Sequence, residues 1–315
     1  MSLENKDSYL WVEKYKPLNI DESILPTRIR KVLQEFVDSG EIKNYLAVGS
    51  AGSGKTSSAK ALLNQLGIQY LFINASNEGN VGTIREKVVR FASTKSVISD
   101  YKVVMLDECD GLTMQAQQNL RGIIEEFYEN CRFILTANYE NKIIDALKSR
   151  CPVIDFNFSK EEKKEMLKVF LPRVVSILKE NNIEFEKEEM INFVVSRFPD
   201  FRKTLQLLQR NSVDGKLILS QTGLNNDERV DELCEYLINR DFDNMRKWVT
   251  ENLDNDGALF RRALYDRIFS LVKPDSIGTL ILILNDFDRT EVQVKDLEIH
   301  MVAMCITIMQ ECEFN

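Results

Sequence analysis

An α/β fold with a parallel sheet, followed by helices alone, is what this sequence predicts, and three observations predict it. Short apolar runs of strand length alternate with helical patterns through the first half. One run, residues 103–106, is apolar at every position, as a strand covered on both faces is. Beyond about residue 157 the strand signals stop and only helical patterns continue. Strands alternating with helices imply a parallel sheet wrapped by helices. The chain has 315 residues, room for about two or three domains. A hydrophobic fraction of 44% supplies real cores rather than disorder.

Each element has its own signal. Residues 45–48 are a short apolar run entering a Gly-rich turn, and 56–66 read as a helix ended by Gly67. Residues 70–73 are the second strand. Over 81–94, Ile84, Val88, Phe91 and Ala92 fall at helical spacing. The third strand, 103–106, precedes a helix at 115–128, and the fourth and fifth strands are 133–136 and 152–156. Ser159-Lys160-Glu161-Glu162 is an N-cap followed by acidic first-turn residues. Helical patterns run to about residue 219, and 221–227 read as a linker. The remainder reads as entirely helical, with apolar stripes such as Leu233, Tyr236, Leu237 and Leu259, Ala263, Leu264, Ile268.

The net charge of -8, taken alone, argues against a partner made of phosphate. It is unevenly spread. Residues 1–150 carry 19 basic and 19 acidic side chains, whereas residues beyond 250 carry 6 and 12. Between 51 and 100 the balance is 6 basic to 3 acidic, so a basic surface fits there despite the global sign. Cys109, Cys131, Cys151, Cys234, Cys305 and Cys312 form no Cys-x-x-Cys pair, and His300 is the single histidine. Clustered zinc ligands are therefore missing, and buried thiols in a reducing cytoplasm are expected. No apolar run approaches the ~18 residues of a membrane span. The first seven residues lack the basic-then-apolar pattern of a signal peptide.

The strongest chemical signal is Gly49-Ser50-Ala51-Gly52-Ser53-Gly54-Lys55-Thr56, which fits G-x-x-x-x-G-K-[ST] between a strand and a helix. Its glycines let backbone N–H groups turn inward around phosphate oxygens, and the helix start points its positive end at them. Lys55 should reach the β- and γ-phosphates and Thr56 should ligate Mg²⁺. The second signal is Asp107-Glu108, at the end of the all-apolar third strand. Asp107 would hold Mg²⁺, and Glu108 would orient and polarise the attacking water, which implies hydrolysis rather than nucleotide holding. The third is Asn138 at the next strand end, either a holder of the lytic water or γ-phosphate or a polar strand cap. The fourth is Arg150 in Ser149-Arg150-Cys151-Pro152, either an arginine finger for a neighbour's γ-phosphate or a solvated surface residue.

Taken together, the phosphate loop, Asp107-Glu108-Cys109-Asp110, Asn138 and Ser149-Arg150-Cys151 resemble the clamp-loader branch of the AAA+ ATPases. Trp11-Val12-Glu13-Lys14-Tyr15-Lys16-Pro17 resembles that family's N-terminal box, with Lys16 where Arg is usual. Phe198-Pro199-Asp200-Phe201-Arg202-Lys203-Thr204 resembles its second sensor segment. Together with Ile24-Leu25-Pro26, these strings are most similar to the large (ATPase) subunit of T-even-type phage sliding-clamp loaders.

The resemblance implies an AAA+ P-loop domain over 1–157, with a parallel five-stranded sheet. A small helical lid follows over 158–222, then an all-helical collar over 225–315 that holds subunits together. The cofactors implied are ATP and Mg²⁺. Val12, Glu13, Tyr15 and Ile24 would border the adenine. Ala51, Gly52, Ser53, Gly54, Lys55, Thr56 and Ser57 would wrap the phosphates, and Thr56 and Asp107 would hold Mg²⁺. Glu108 and Asn138 would be catalytic, Arg202 would sense the γ-phosphate in the same subunit, and Arg150 would act in trans on the next. Gln117 and Arg121 match a helix that couples DNA to the ATP site. Arg85, Lys87 and Arg90 match a helix facing duplex backbone, although a solvated helix face reads the same way. Val97, Ile98 and Tyr101 would be either a sliding-clamp anchor or core.

The function implied is ATP-dependent loading of a sliding clamp onto primer–template DNA in replication. It would involve four copies of this subunit and one smaller one, in the cytoplasm of a bacterial host, with no membrane. Two other readings share the ATP chemistry. One is a different AAA+ DNA remodeller, a helicase loader or branch-migration motor, against which Ser149-Arg150-Cys151 and the Tyr-Lys-Pro box argue. The other is a non-hydrolysing ATP-binding scaffold, against which Glu108, Asn138 and Arg150 argue.

Overall fold

The computed structural model describes residues 9–76, 81–94, 96, 99–219, 226–252, 257–291 and 294–315. The chain divides into two compact units, Met1–Lys187 with Val194–Ile218 and Glu188–Phe193 with Leu219–Asn315.

The first unit opens with α1 (Trp11–Lys14) and α2 (Thr27–Ser39). Strands β1 (Tyr45–Val48), β2 (Tyr70–Asn74), β3 (Lys102–Asp107), β4 (Cys131–Ala137) and β5 (Val153–Asp155) then alternate with helices. Those helices are α3 (Lys55–Gln65), α4 (Val81–Ala92), α5 (Met114–Glu126) and α6 (Asp145–Lys148). The strands form one parallel sheet in the order β2-β3-β4-β1-β5. Alternate side chains of a strand point to opposite faces, and here both faces are apolar. Tyr45, Ala47, Val103, Met105 and Ile134 pack with Ile29, Leu33 and Leu62 on one side. Leu46, Val48, Val104, Leu106, Phe133 and Leu135 pack with Val88, Leu120 and Ile124 on the other. The all-apolar run 103–106 is fully buried, as its composition predicts.

Sequence order differs from spatial order because parallel strands need crossovers. That order makes β1, β3 and β4 neighbours, in register Val48↔Ala137 and Leu106↔Leu135. The polar residues that follow these three strands therefore emerge side by side along one sheet edge, where open α/β sheets bind ligands.

Three helices follow: α7 (Lys160–Glu180), α8 (Lys187–Arg197) and α9 (Phe201–Arg210). The predicted cap at Ser159 is a full capping box with Glu162. Rings of Phe170, Phe198 and Phe201 meet at centroid distances of 4.9, 5.5 and 6.0 Å. Helix does not continue to residue 219. A hairpin, β6 (Ser212–Val213) with β7 (Lys216–Leu217), intervenes. Its turn, Asp214-Gly215, has φ of 49° and 77°, the Asp-Gly signature of a two-residue hairpin.

In the second unit, α10 (Asn226–Ile238), α11 (Phe242–Asn252), α12 (Gly257–Ile268), α13 (Ile277–Glu291) and α14 (Leu297–Glu311) surround one core. Leu233, Trp248, Leu264, Leu280, Met304 and Cys305 form its centre. This region is not entirely helical: Val272 bridges Phe314 in antiparallel fashion. No helix among the described residues is long and apolar enough to cross a membrane.

Candidate active site

The loop after β1 must approach the Phe156 backbone and the Asp200 side chain closely, and this selects its glycines. Gly49 has φ 156°, and a Cβ there would lie 2.7 Å from the Phe156 carbonyl. Gly52 has φ 74°, and a Cβ would lie 2.0 Å from Asp200 Oδ1. Only glycine fits both the conformation and the space. The Gly52 carbonyl in turn accepts the Phe201 N–H at 3.2 Å, so the loop meets the start of α9 directly.

Lys55 begins α3 and is 7% exposed. Its ammonium donates to the carbonyls of Gly49 and Ser50 at 2.7 and 2.8 Å and to Asn138 Oδ1 at 3.0 Å. All three acceptors are neutral, so the charge is oriented without being neutralised. Burial pulls its pKa down to about 8; Asp107 and Asp110 oppose this, and Arg202 adds to it. A cation destabilised by burial and held by neutral dipoles is suited to a phosphate.

Asp107 ends β3. Its Oδ1 accepts the hydroxyls of Thr56 and Thr136, each at 2.6 Å. Thr136 Oγ1 also accepts the Glu108 N–H at 3.0 Å. Glu108 lies at φ 58°, ψ 46°, a left-handed conformation unfavourable for a side chain with a Cβ. It is fixed there by that bond and by the Gly111 N–H donating to its carbonyl at 3.0 Å. Strain of this kind clusters where function demands a particular side-chain direction. The Asn138 N–H donates to Asp110 Oδ1 at 3.1 Å, so the ends of β3 and β4 are cross-linked beside Lys55.

These groups face a cavity of about 340 Å³. Its wall includes Val12, Glu13, Tyr15, Ile24, Ala51, Gly52, Gly54, Lys55, Thr56, Ser57, Asp107, Glu108, Asn138 and Arg202. The fold thus brings together nearly every residue the sequence nominated for nucleotide. Ser53 is the exception: its side chain is fully buried off the wall, so only its backbone remains for phosphate. Among the described residues no group of three or more His, Cys, Asp or Glu side chains could hold a metal. Thr56 and Asp107 form a small oxygen-only pair. That fits Mg²⁺, which is commonly held by one or two protein oxygens together with substrate phosphates.

Several wall residues carry no sequence motif. Phe170, Arg173 and Ile177 on α7, and Leu205, Gln206 and Gln209 on α9, close the cavity opposite the sheet. On sequence they read as an amphipathic helix face. Phe201 was findable, because it adjoins Arg202 in the sensor-like string. Thr136 was also within reach, since it lies two residues before Asn138 and is the strand-end group that bonds Asp107. Tyr15 is anchored by the Asn181 side-chain amide donating to its hydroxyl at 2.6 Å, and Gln209 Oε1 accepts the Trp11 N–H at 2.9 Å.

Other nominated residues lie elsewhere. Arg150 does not line the cavity of its own chain. Its Nε and Nη2 pair with Glu125 on α5, and its Nη1 donates to the Ala146 carbonyl at 3.0 Å. That arginine holds the Glu125 carboxyl below its usual range. Gln117 is 2% exposed and cannot touch DNA directly. Its amide donates to the carbonyls of Leu112 and Lys142 at 3.2 and 2.8 Å, and its Oε1 accepts the Ile144 N–H at 2.9 Å. It thereby latches α5 to the segment entering α6. Arg121 is exposed and reaches Glu125 at 3.3 Å. Arg85 and Lys87 are exposed on α4.

Tyr101 is core rather than a clamp anchor. It is 9% exposed, and its hydroxyl accepts the Ile42 N–H at 2.7 Å. Val97 and Ile98 lie outside the described residues. All six cysteines are buried free thiols; burial raises Cys131, Cys151, Cys234 and Cys305 to about 12.

Known proteins share this architecture. The ATPase family associated with various cellular activities matches residues 45–157, and the C-terminal domain of sliding-clamp-loader large subunits matches 258–313. The sliding-clamp-loader large subunits of Escherichia phage RB69 and Enterobacteria phage T4 are each 31% identical. The first alignment covers 98% of both chains and the second 99% of both. Replication factor C small subunit 1 of Pyrobaculum aerophilum is 34% identical over 93% of this chain and 92% of its own. A RuvB variant of Thermotoga maritima superposes with TM-score 0.52 at 16% identity, over 81% of this chain and 90% of that one, a likeness of fold alone.

Proposed function

The chain belongs to the clamp-loader ATPases, among the sliding-clamp-loader large subunits, and from that membership and its site we infer that it loads a sliding clamp onto primer–template DNA at the expense of ATP. The observation that carries hydrolysis is the wiring along the sheet edge. Lys55, Thr56, Asp107, Glu108 and Asn138 share one cavity, held by Thr136 and loop carbonyls.

ATP would lie with its base against Val12, Tyr15 and Ile24 and its phosphates along the loop of Ala51 to Ser57, met by backbone N–H groups and Lys55. Thr56 and Asp107 would hold Mg²⁺, which supplies charge neutralisation at the β- and γ-phosphates. Glu108 would orient the attacking water and draw its proton as the P–O bond to the leaving ADP breaks. Asn138, bonded to Lys55, would hold the γ-phosphate side of that water. Arg202 on α9 would meet the γ-phosphate from the lid.

Arg150 would complete the site of the neighbouring copy. Its position outside its own cavity supports action in trans, and its exposed pairing with Glu125 leaves it displaceable by phosphate. Arg85 and Lys87 would meet duplex backbone, where repetition in each copy lets few charges per subunit suffice. Gln117 and Arg121 would couple that contact to the finger, Gln117 through α6 rather than by touching DNA. The partners are then a sliding clamp, primer–template DNA, further copies of this chain (four in all) and one smaller subunit. The helices beyond residue 225 would form their collar, and the setting would be the cytoplasm of a bacterial host.

The test is steady-state ATP turnover with and without sliding clamp and primed duplex. Turnover should rise strongly only when both are present. Stimulation by DNA with no response to clamp would replace the loader by a motor, and no turnover under any condition would leave a nucleotide-holding scaffold.

A further inference from the structure

The peptide that joins β5 to α7 is gripped from outside by an arginine no motif marks. Arg28 sits in the first turn of α2, four residues after Ile24 of the cavity wall. Its guanidinium commits every nitrogen. Nη1 donates to the Asp155 carbonyl, Nη2 to the Asn157 carbonyl at 2.8 Å, and Nε to Glu162 Oε1 at 2.7 Å. Beside it, Thr27 Oγ1 donates to Glu165 at 2.5 Å. The second oxygen of Glu162 accepts the Ser159 N–H at 2.9 Å in the capping box. The Asn157 N–H and side-chain amide both donate to Asp155 Oδ1 at 2.8 Å.

A lone ion pair with Arg28 42% exposed would mean little. Here the same planar fork also fixes two alternate carbonyls of a connecting peptide, and lysine cannot reproduce that geometry. The helix that carries the fork is fixed in place, because α2 is seated on the sheet core by Ile29 and Leu33, each 1% exposed. The connector is tied to the phosphate loop as well, since Phe156 packs against Gly49.

What leaves this connector is α7, which carries Phe170, Arg173 and Ile177 to the cavity wall. Arg28 does not line that wall. We propose that Arg28 is a positioning residue: it pins the connector 155–157 to α2 and so holds α7 in the pose that encloses the nucleotide. The proposal rests on the cavity being the nucleotide site. Its energetic content is a population. A lid that spends less time in the enclosing pose lowers apparent affinity by that fraction and leaves the chemistry of bound ATP unchanged.

The experiment compares wild type, R28A, R28K, E162Q and, as a control on the cavity, K55A, in the assembled loader with clamp and primed DNA. Fluorescent ATP-analogue affinity, KM, kcat and thermal midpoint are read for each. R28A should weaken analogue binding and raise KM about three- to tenfold, the scale of one net hydrogen bond, with kcat within about twofold. R28K should fall between, since it keeps the Glu162 pair and loses the fork. E162Q, which removes one of the three partners, should show the smallest rise. Unchanged affinity in R28A overturns the proposal, and so does a fall in kcat at unchanged KM. A lowered thermal midpoint with wild-type KM would make Arg28 a stabiliser only and would also overturn it. If R28A does not fold, R28K and E162Q decide by the same split. If K55A also binds the analogue normally, it is the cavity reading that fails.

Discussion

Two cationic residues proposed to meet a γ-phosphate, one in its own chain's site and one in the neighbour's, are held in opposite ways. Lys55 is buried, oriented by neutral carbonyls and an amide, and it belongs to the cavity of its own chain. Arg150 is on the surface and is paired with a carboxylate that also receives Arg121. The first arrangement is largely preorganised: the ammonium is already at the site and exchanges one of its three neutral acceptors for a phosphate oxygen, and burial magnifies each interaction. The second is exchangeable, because an exposed ion pair is weak and a triphosphate can compete for the guanidinium. On this reading one chain would carry the nucleotide-binding side and lend its second cation to the neighbouring copy.

The contrast can be broken most severely at Arg150. R150A should cut clamp- and DNA-stimulated turnover by about 10³-fold or more if it is a finger, with analogue affinity nearly unchanged. Mixing it with E108Q would read trans action, because a site made from Glu108 of one copy and Arg150 of its neighbour should recover turnover that neither variant shows alone. No recovery in the mixture would place the residue in cis.

Next in size is E108Q, expected to keep ATP binding while losing about 10²–10⁴-fold in turnover, the range of a general base. Equal turnover would remove Glu108 from the water and leave only its unusual backbone to explain.

Smaller is the pH response of Lys55. Its pKa near 8 without nucleotide means the charged form that a phosphate needs is lost as pH rises through that value. Affinity should fall by up to about tenfold per unit above pH 8, with proton uptake on binding, measurable by calorimetry in buffers of different ionisation enthalpy. For folding the sign is opposite. Between about 8 and the ordinary lysine value the unfolded chain binds more protons, so the Lys55 contribution to stability rises with pH. Pin-flat affinity from pH 7 to 9 would show that Lys55 is not burdened by burial.

Smallest is Q117A. Removing the latch leaves the part-buried backbone groups of Leu112, Lys142 and Ile144 without their partner and should cost about 1 kcal/mol by chemical denaturation. If Arg150 depends on that latch, turnover should fall more than stability alone explains.

Some of this was legible without coordinates. The alternation of 45–48, 70–73, 103–106 and 133–136 with helical stripes specifies strands and helices locally, since periodicity is a property of neighbouring residues. Residues 49–56 are similarly local, because one loop supplies most of the phosphate contacts, and Asp107-Glu108 announces itself by following an apolar strand. The hairpin at Asp214-Gly215 was equally local and was simply outvoted by the helical patterns around it. Tyr101 and Gln117 show the limit. A tyrosine that reads equally as anchor or core, and a glutamine matched to a DNA-coupling helix, are settled only when their distant partners, Ile42 and the 142–144 segment, are known.

The sequence alone therefore determined the alternating strands and helices of the first half, the phosphate loop, the acidic strand end and the family resemblance, all of which depend on residues close together in the chain. Tertiary structure decided the rest: that β1, β3 and β4 are neighbours, that Thr136 joins Asp107 to Glu108, that Arg150 turns away from its own cavity, and that Arg28 grips a connector more than a hundred residues further along. The reason is the crossover topology. A parallel sheet orders its strands in space differently from the chain, so no window along the sequence contains both partners of those contacts.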